Sequence, residues 1–141
     1  MERRVFIRSC SVLCVSGMGL SGLLESCDSI HYASHSNEIN RIKVNKMEFI
    51  GTKKNERKFV VIRSEKLQYP ICVYSIGKEY VALYMQCTHQ GCELHPNKTS
   101  LVCPCHGSEF SIEGKVQSPP ADKDLKQFKV VTDNESIYIE I

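Results

Sequence analysis

From residue 42 onward the chain alternates short β-branched and aromatic runs with turn-forming residues, the pattern of an antiparallel β protein. Strands are expected at 47–50, 58–63, 70–76, 80–86, 128–132 and 136–141. Between them, the stretch from Gly51 to Asn55, the pair Gly77-Lys78 and the pair Asp133-Asn134 carry turn chemistry. Ile137, Ile139 and Ile141 alternate with Tyr138 and Glu140, the period of two that marks a half-buried strand. Val81, Leu83 and Met85 interleave with Tyr80, Ala82 and Tyr84, so that strand is apolar on both faces and belongs at the centre of a sheet. No segment after residue 40 keeps a helical period for three turns. An all-β sandwich or small barrel is predicted, with a core small enough for extra cross-links to help its stability.

The N-terminal part follows a different pattern. Arg3-Arg4-Val5-Phe6-Ile7-Arg8 places a basic head before a weakly apolar stretch over residues 10–24, the layout of an export signal. As a helix that stretch would reach about 22 Å, short of the ~30 Å hydrocarbon core of a bilayer. Gly17, Gly19 and Gly22 weaken such a helix further. The Arg pair followed by apolar and basic residues resembles a twin-arginine export signal, a route that carries folded cargo. Leu24-Glu25-Ser26-Cys27 resembles a lipobox, with Cys27 as the lipidated residue; an uncleaved signal kept as a marginal anchor is the alternative. Residues 1–27 are therefore expected to be an export segment, 28–41 a polar linker and 42–141 the folded domain. His31 and His35 fall in the Ser- and Asn-rich linker and read as solvated side chains.

Composition narrows the function. The 141 residues are 42% hydrophobic and 24% charged, a globular rather than a disordered composition. Eighteen Lys and Arg against sixteen Asp and Glu give a net charge of +2, too balanced to point to nucleic acid. The basic cluster Lys53, Lys54, Arg57 and Lys58 is interrupted by Glu56 and reads as a solvated turn. The eight Cys are the outlier. Cys72 lies within an apolar strand and reads as an inert core thiol.

Two segments hold the chemistry: Cys87-Thr88-His89-Gln90-Gly91-Cys92 and Cys103-Pro104-Cys105-His106-Gly107-Ser108-Glu109-Phe110. A disulfide scaffold alone leaves both His unexplained. Zinc is the chemical rival, because two Cys and two His make a tetrahedral set, but it needs four ligands and leaves two Cys over. Four metal ligands plus one disulfide account for all six groups. His95, just after the first segment, reads as a surface residue.

These segments, Cys-x-His-x-Gly-Cys and Cys-x-Cys-His-Gly-Ser-x-Phe, resemble the disulfide-containing Rieske iron–sulfur proteins of quinol-oxidising cytochrome complexes. The resemblance implies a β-sandwich carrying a small cluster-binding subdomain, here about 86–121, and one [2Fe–2S] cluster. It implies that Cys87 and Cys103 bind one iron, His89 and His106 the other, and that Cys92 and Cys105 form the disulfide tying the two loops. Imidazoles in place of two thiolates remove negative charge and raise the reduction potential. Gly91 and Gly107 allow the backbone to come close to the cluster. Ser108 falls where the family's hydroxyl bonds a bridging sulfide, and Phe110 where high-potential members carry Tyr. Gly114, the run Ser118-Pro119-Pro120-Ala121, Leu125 and Phe128 resemble the family's proline loop, with Pro119 and Pro120 stiffening a cover over the cluster.

The function implied is one-electron transfer outside the cytoplasmic membrane, in the bacterial cell envelope, by a tethered protein. The leading expectation is the iron–sulfur subunit of a membrane quinol-oxidising or cytochrome-type complex. The alternatives are the small subunit of an exported oxidoreductase resembling arsenite oxidase, a free-standing carrier, or a zinc-stabilised binding module. Ring-hydroxylating oxygenases carry a similar cluster but lack the loop-tying Cys pair.

Overall fold

The computed structural model describes residues 29–52 and 55–141. The export-signal segment with Cys27 lies outside the described residues, as do Lys53 and Lys54. The strands are β1 (His35–Asn37), β2 (Arg41–Asn45), β3 (Phe59–Ile62), β4 (Ile71–Ile76), β5 (Glu79–Tyr84), β6 (His95–Pro96), β7 (Ser100–Val102), β8 (Glu109–Ser111), β9 (Val116–Ser118), β10 (Gln127–Phe128), β11 (Val130–Thr132) and β12 (Ser136–Glu140). They make three antiparallel sheets in the orders β1-β2-β12-β11, β10-β5-β4-β3 and β6-β7-β8-β9. Among the described residues no helix is long and apolar enough to cross a membrane.

The second sheet is buried on both faces, which explains why its strands are apolar at successive positions. Along β4, Ile71 and Val73 enter a core with Ile42, Val44, Ile137 and Ile139 of the first sheet. Cys72 and Tyr74, pointing the other way, enter a second core with Leu94, Leu101 and Phe110. Strand β5 divides its residues in the same way, Ala82 to the first core and Leu83 to the second. Each such Ile or Leu contributes about 1.5–3 kcal/mol by leaving water. The third sheet carries the small subdomain, which therefore packs on the outer face of a two-sheet sandwich. Tyr74 pins it there, its buried hydroxyl lying 2.9 Å from the Asn97 carbonyl and 3.0 Å from that of Ser100.

Several local expectations are corrected. Residues 46–49 form a 3-10 turn, because the Asn45 side chain accepts the Met47 N–H at 2.8 Å and caps it. Phe49 is carried into the core against Tyr80, with ring centroids 5.1 Å apart. The expected linker also differs, since residues within 28–41 are part of the fold. The His31 carbonyl accepts the Val61 N–H, the Ala33 N–H donates to the Val61 carbonyl, and β1 pairs with β2. This segment covers the open edge of β3 and then joins the first sheet, and Ala33 is buried. His31 is half-buried, with Nε2 2.6 Å from Glu48 Oε2, rather than freely solvated. The strand expected at 128–132 divides at Lys129, giving β10 to the second sheet and β11 to the first. Arg57 turns back on its own hairpin, donating to the carbonyls of Glu48 and Ile50 at 2.8 and 2.6 Å.

Candidate metal centre

Both Cys/His segments fold into the same small loop. In the first, Gly91 N–H donates to the Cys87 carbonyl and Cys87 N–H to the Cys92 carbonyl, each at 2.8 Å. In the second, Gly107 N–H donates to the Cys103 carbonyl at 3.0 Å and Cys103 N–H to the Ser108 carbonyl at 2.8 Å. Closing so tight a loop requires a left-handed residue near its end, and Gly91 (φ 76°) and Gly107 (φ 79°) supply it. The loops leave the second core side by side. A disulfide, Cys92–Cys105, joins them.

Burial sorts the donor atoms by element. Cys87 and Cys103 are each only 2% exposed, at the floor of the site, whereas His89 and His106 are exposed at its rim. The two imidazole centroids are 5.0 Å apart, edge to face. Burial pushes the Cys103 thiol up. The His106 N–H, the Cys87 thiol and the Cys105 N–H, all donating to the Cys103 sulfur, outweigh it and leave the pKa below the ordinary thiol value. The two backbone N–H donors, of Cys105 and His106, also favour a ligating thiolate. Burial drives the Cys72 thiol far up, which keeps it protonated and inert. Three sulfurs, those of Cys92, Cys103 and Cys105, lie within 4.8 Å of one another. Two of them are bonded together, so this trio is not itself a metal site.

A third loop closes over the first two. The buried Ser108 Oγ accepts the Ala121 N–H at 2.9 Å, and Thr88 Oγ1 donates to the Lys123 carbonyl at 2.7 Å. Each Cys/His loop thus holds the loop carrying Pro119 and Pro120 by one side chain. Farther along, Leu125 N–H donates to the Gly114 carbonyl at 2.8 Å, and Asp124 accepts from Val116 N–H and from Lys115 Nζ. Pro119, Pro120 and His106 are all exposed at this end of the molecule. Phe110, on β8, is fully buried behind the floor. Thr88 and Asp124 were not foreseen as structural ties. Only the place of Thr88 between Cys87 and His89 hints at its role. His95 is exposed on β6, as expected.

The donor set fits a binuclear iron–sulfur group. Two neighbouring buried thiols and two neighbouring exposed imidazoles would offer each metal of a pair two terminal ligands of one kind. Comparison with known proteins points the same way. The Rieske [2Fe–2S] domain family matches residues 30–129. The cytochrome b6-f complex iron-sulfur subunit of Chlorobaculum tepidum is 34% identical over 73 residues, half of this chain and 40% of that one. Iron-sulfur subunit 1 of the cytochrome b6-f complex of Nostoc sp. is 40% identical over 55 residues, 38% of this chain and 31% of that one. The chain thus spans less than half the length of these relatives. Among solved structures, the cyanobacterial plasma membrane Rieske protein of Synechocystis PCC 6803 superposes with a TM-score of 0.53 at 29% identity, covering 60% of this chain and 88% of that one. Antiparallel sheets, paired loops tied by a disulfide and a family match from Ile30 to Lys129 converge on one conclusion: the chain belongs to the Rieske [2Fe–2S] domain family.

Proposed function

We propose that Cys87 and Cys103 bind one iron of a [2Fe–2S] cluster, that His89 and His106 bind the other, and that the protein transfers single electrons for a membrane quinol-oxidising complex of the cytochrome b6-f kind. The observation that carries this reading is the separation of donors, buried sulfur beneath exposed imidazole. When bound, the group supplies one reversible one-electron step. The residues around it do the rest. The Cys floor keeps water from the sulfur side, the Cys92–Cys105 bond holds the two loops in register, and the loop of Pro119 and Pro120 shields a third side. His89 and His106 each present a ring edge at the surface, where a ring N–H can bond a quinol hydroxyl or the edge of a partner. The b6-f relatives support the choice of partner.

In the same reading the protein sits outside the cytoplasmic membrane, exported by the twin-arginine-like segment and tethered through Cys27. Purification from native membranes, with iron and sulfide analysis, EPR of the reduced protein and identification of co-purifying subunits, tests the whole reading. Two irons per chain, a rhombic signal with an average g below that of an all-cysteine cluster and a co-purifying quinol-oxidising subunit are expected. Zinc in place of iron, or no EPR signal after reduction, contradicts it. Mass spectrometry of the mature N-terminus tests the tether, for which a diacylglyceryl group on Cys27 is the expected result.

A further inference from the structure

Beside the first Cys/His loop lies an open cleft of about 620 Å³, walled by Gln86, Thr88, His89, Gln90, Lys123 and Lys126 among others. Among the described residues no carboxylate lines it. Two cationic side chains do, Lys123 and Lys126. The Thr88 hydroxyl fixes the backbone at Lys123 through its 2.7 Å hydrogen bond. Lys126 Nζ stands 4.7 Å from the Phe128 ring centroid and 5.7 Å from that of Tyr84, so aromatic faces seat the ammonium without neutralising it. The adjacent Asp124 is committed to Lys115 Nζ at 2.7 Å and to the Val116 N–H at 3.0 Å. Asp122, exposed in the same loop, is not part of the cleft wall.

We propose that this cleft is a docking site for a carboxylate-bearing edge of a redox partner protein, seated against His89. The inference rests on the ligand assignment above and adds the chemistry of the partner. Two ammonium groups, that of Lys126 seated on aromatic rings, set the sign of the complementary surface, and the Gln86 and Gln90 amides offer both donors and acceptors to orient it. A partner held there lies beside an exposed imidazole of the centre. One electron then leaves the reduced protein and one arrives on the acceptor, with no bond made or broken.

The test is stopped-flow oxidation of the reduced holoprotein, as parent and as K123Q/K126Q, by an acidic plastocyanin, by a basic cytochrome c and by ferricyanide. At low ionic strength the variant should react with plastocyanin about ten-fold more slowly, with a flatter dependence on salt. Its rate with cytochrome c should not fall, and its iron content and EPR spectrum should match the parent. An unchanged plastocyanin rate and salt slope overturns the proposal, as does equal slowing with both proteins. Slowing with ferricyanide alone assigns the cleft to small anions and overturns it too. A parent that shows no Rieske-type EPR signal removes the ligand assignment, and the proposal with it.

Discussion

Replacing Ser108 by Ala removes the oxygen that accepts the Ala121 N–H and leaves the rest of the loop chemically unchanged. Ser108 has no exposed surface and Ala121 is 4% exposed, so no water replaces the lost acceptor. A buried donor left unpaired costs about 1–3 kcal/mol. The cost falls on the contact between the second Cys/His loop and the Pro119–Pro120 loop, because this bond joins residues 13 apart across that boundary. At about 1.4 kcal/mol per factor of ten, local opening should become roughly 5- to 150-fold more frequent. Hydrogen–deuterium exchange read by mass spectrometry, on a peptide containing the Ala121 amide, measures this directly in the holoprotein. Thr88→Val is the comparison. It removes a bond at an exposed position, worth about 0.5–1.5 kcal/mol, and should speed exchange less. Unchanged protection at Ala121 in Ser108→Ala, or a larger effect from Thr88→Val, would refute the view that Ser108 clamps the third loop.

Three further outcomes follow from the same geometry. Gly107 and Gly114 share a left-handed backbone, φ 79° and 83°, but a Cβ at Gly107 meets nothing within 4 Å, whereas one at Gly114 meets Leu83 Cδ2 at 2.8 Å. In urea unfolding, Gly107→Ala should cost about 1–2 kcal/mol for the backbone, and Gly114→Ala a further 1–3 kcal/mol for overpacking; equal costs would contradict the packing argument. Phe110→Tyr, at a buried position behind the floor, should raise the reduction potential in a redox titration, because a phenol can donate to a ligand sulfur and a phenyl cannot. No change there would contradict a role for a hydroxyl at position 110 in setting the potential. Acid should also loosen the fold. The Lys115 ammonium, then the Val116 N–H, holds the Asp124 carboxyl below its usual range; the N–H groups of Glu135 and Ser136, then the Tyr138 hydroxyl, do the same for Asp133. Their stabilisation is complete above the ordinary Asp pKa of about 3.9 and is lost as pH falls through the lower folded values. Their contribution should therefore be constant from pH 7 to 5 and decline below about 4, so the acid loss of stability should be less steep in Asp124→Asn and Asp133→Asn. An identical acid slope in those variants would count against both carboxylates.

The sheet that is buried on both faces was the most legible part of the chain. Val81 through Met85 read as a central strand because Ala82 and Leu83 serve two different cores. The 3-10 turn after Asn45 was hidden because Met47, Phe49 and Ile50 imitate a strand's composition, and what decides is one side-chain acceptor on the Met47 N–H. The strap at residues 31–33 was hidden for a related reason. It is tied to β3 by backbone hydrogen bonds, which leave no trace in polar side chains. Short strands such as β6 and β9 escaped because two or three residues give too little periodicity. The Cys/His loops were legible because Cys, His and φ-permissive Gly recur there at fixed spacing. The disulfide implied by the family resemblance, Cys92 with Cys105, is present. The ties that hold the third loop were not legible, since Thr88 and Asp124 bond backbone groups more than 30 and 7 residues away and carry no motif.

A crystal structure of the purified holoprotein, with an anomalous difference map at the iron edge, tests the assignment of ligands most directly. Two adjacent iron peaks are expected, one bonded to the sulfurs of Cys87 and Cys103 and the other to ring nitrogens of His89 and His106. A single metal held by all four side chains, or an iron bonded to Cys92 or Cys105, would contradict it.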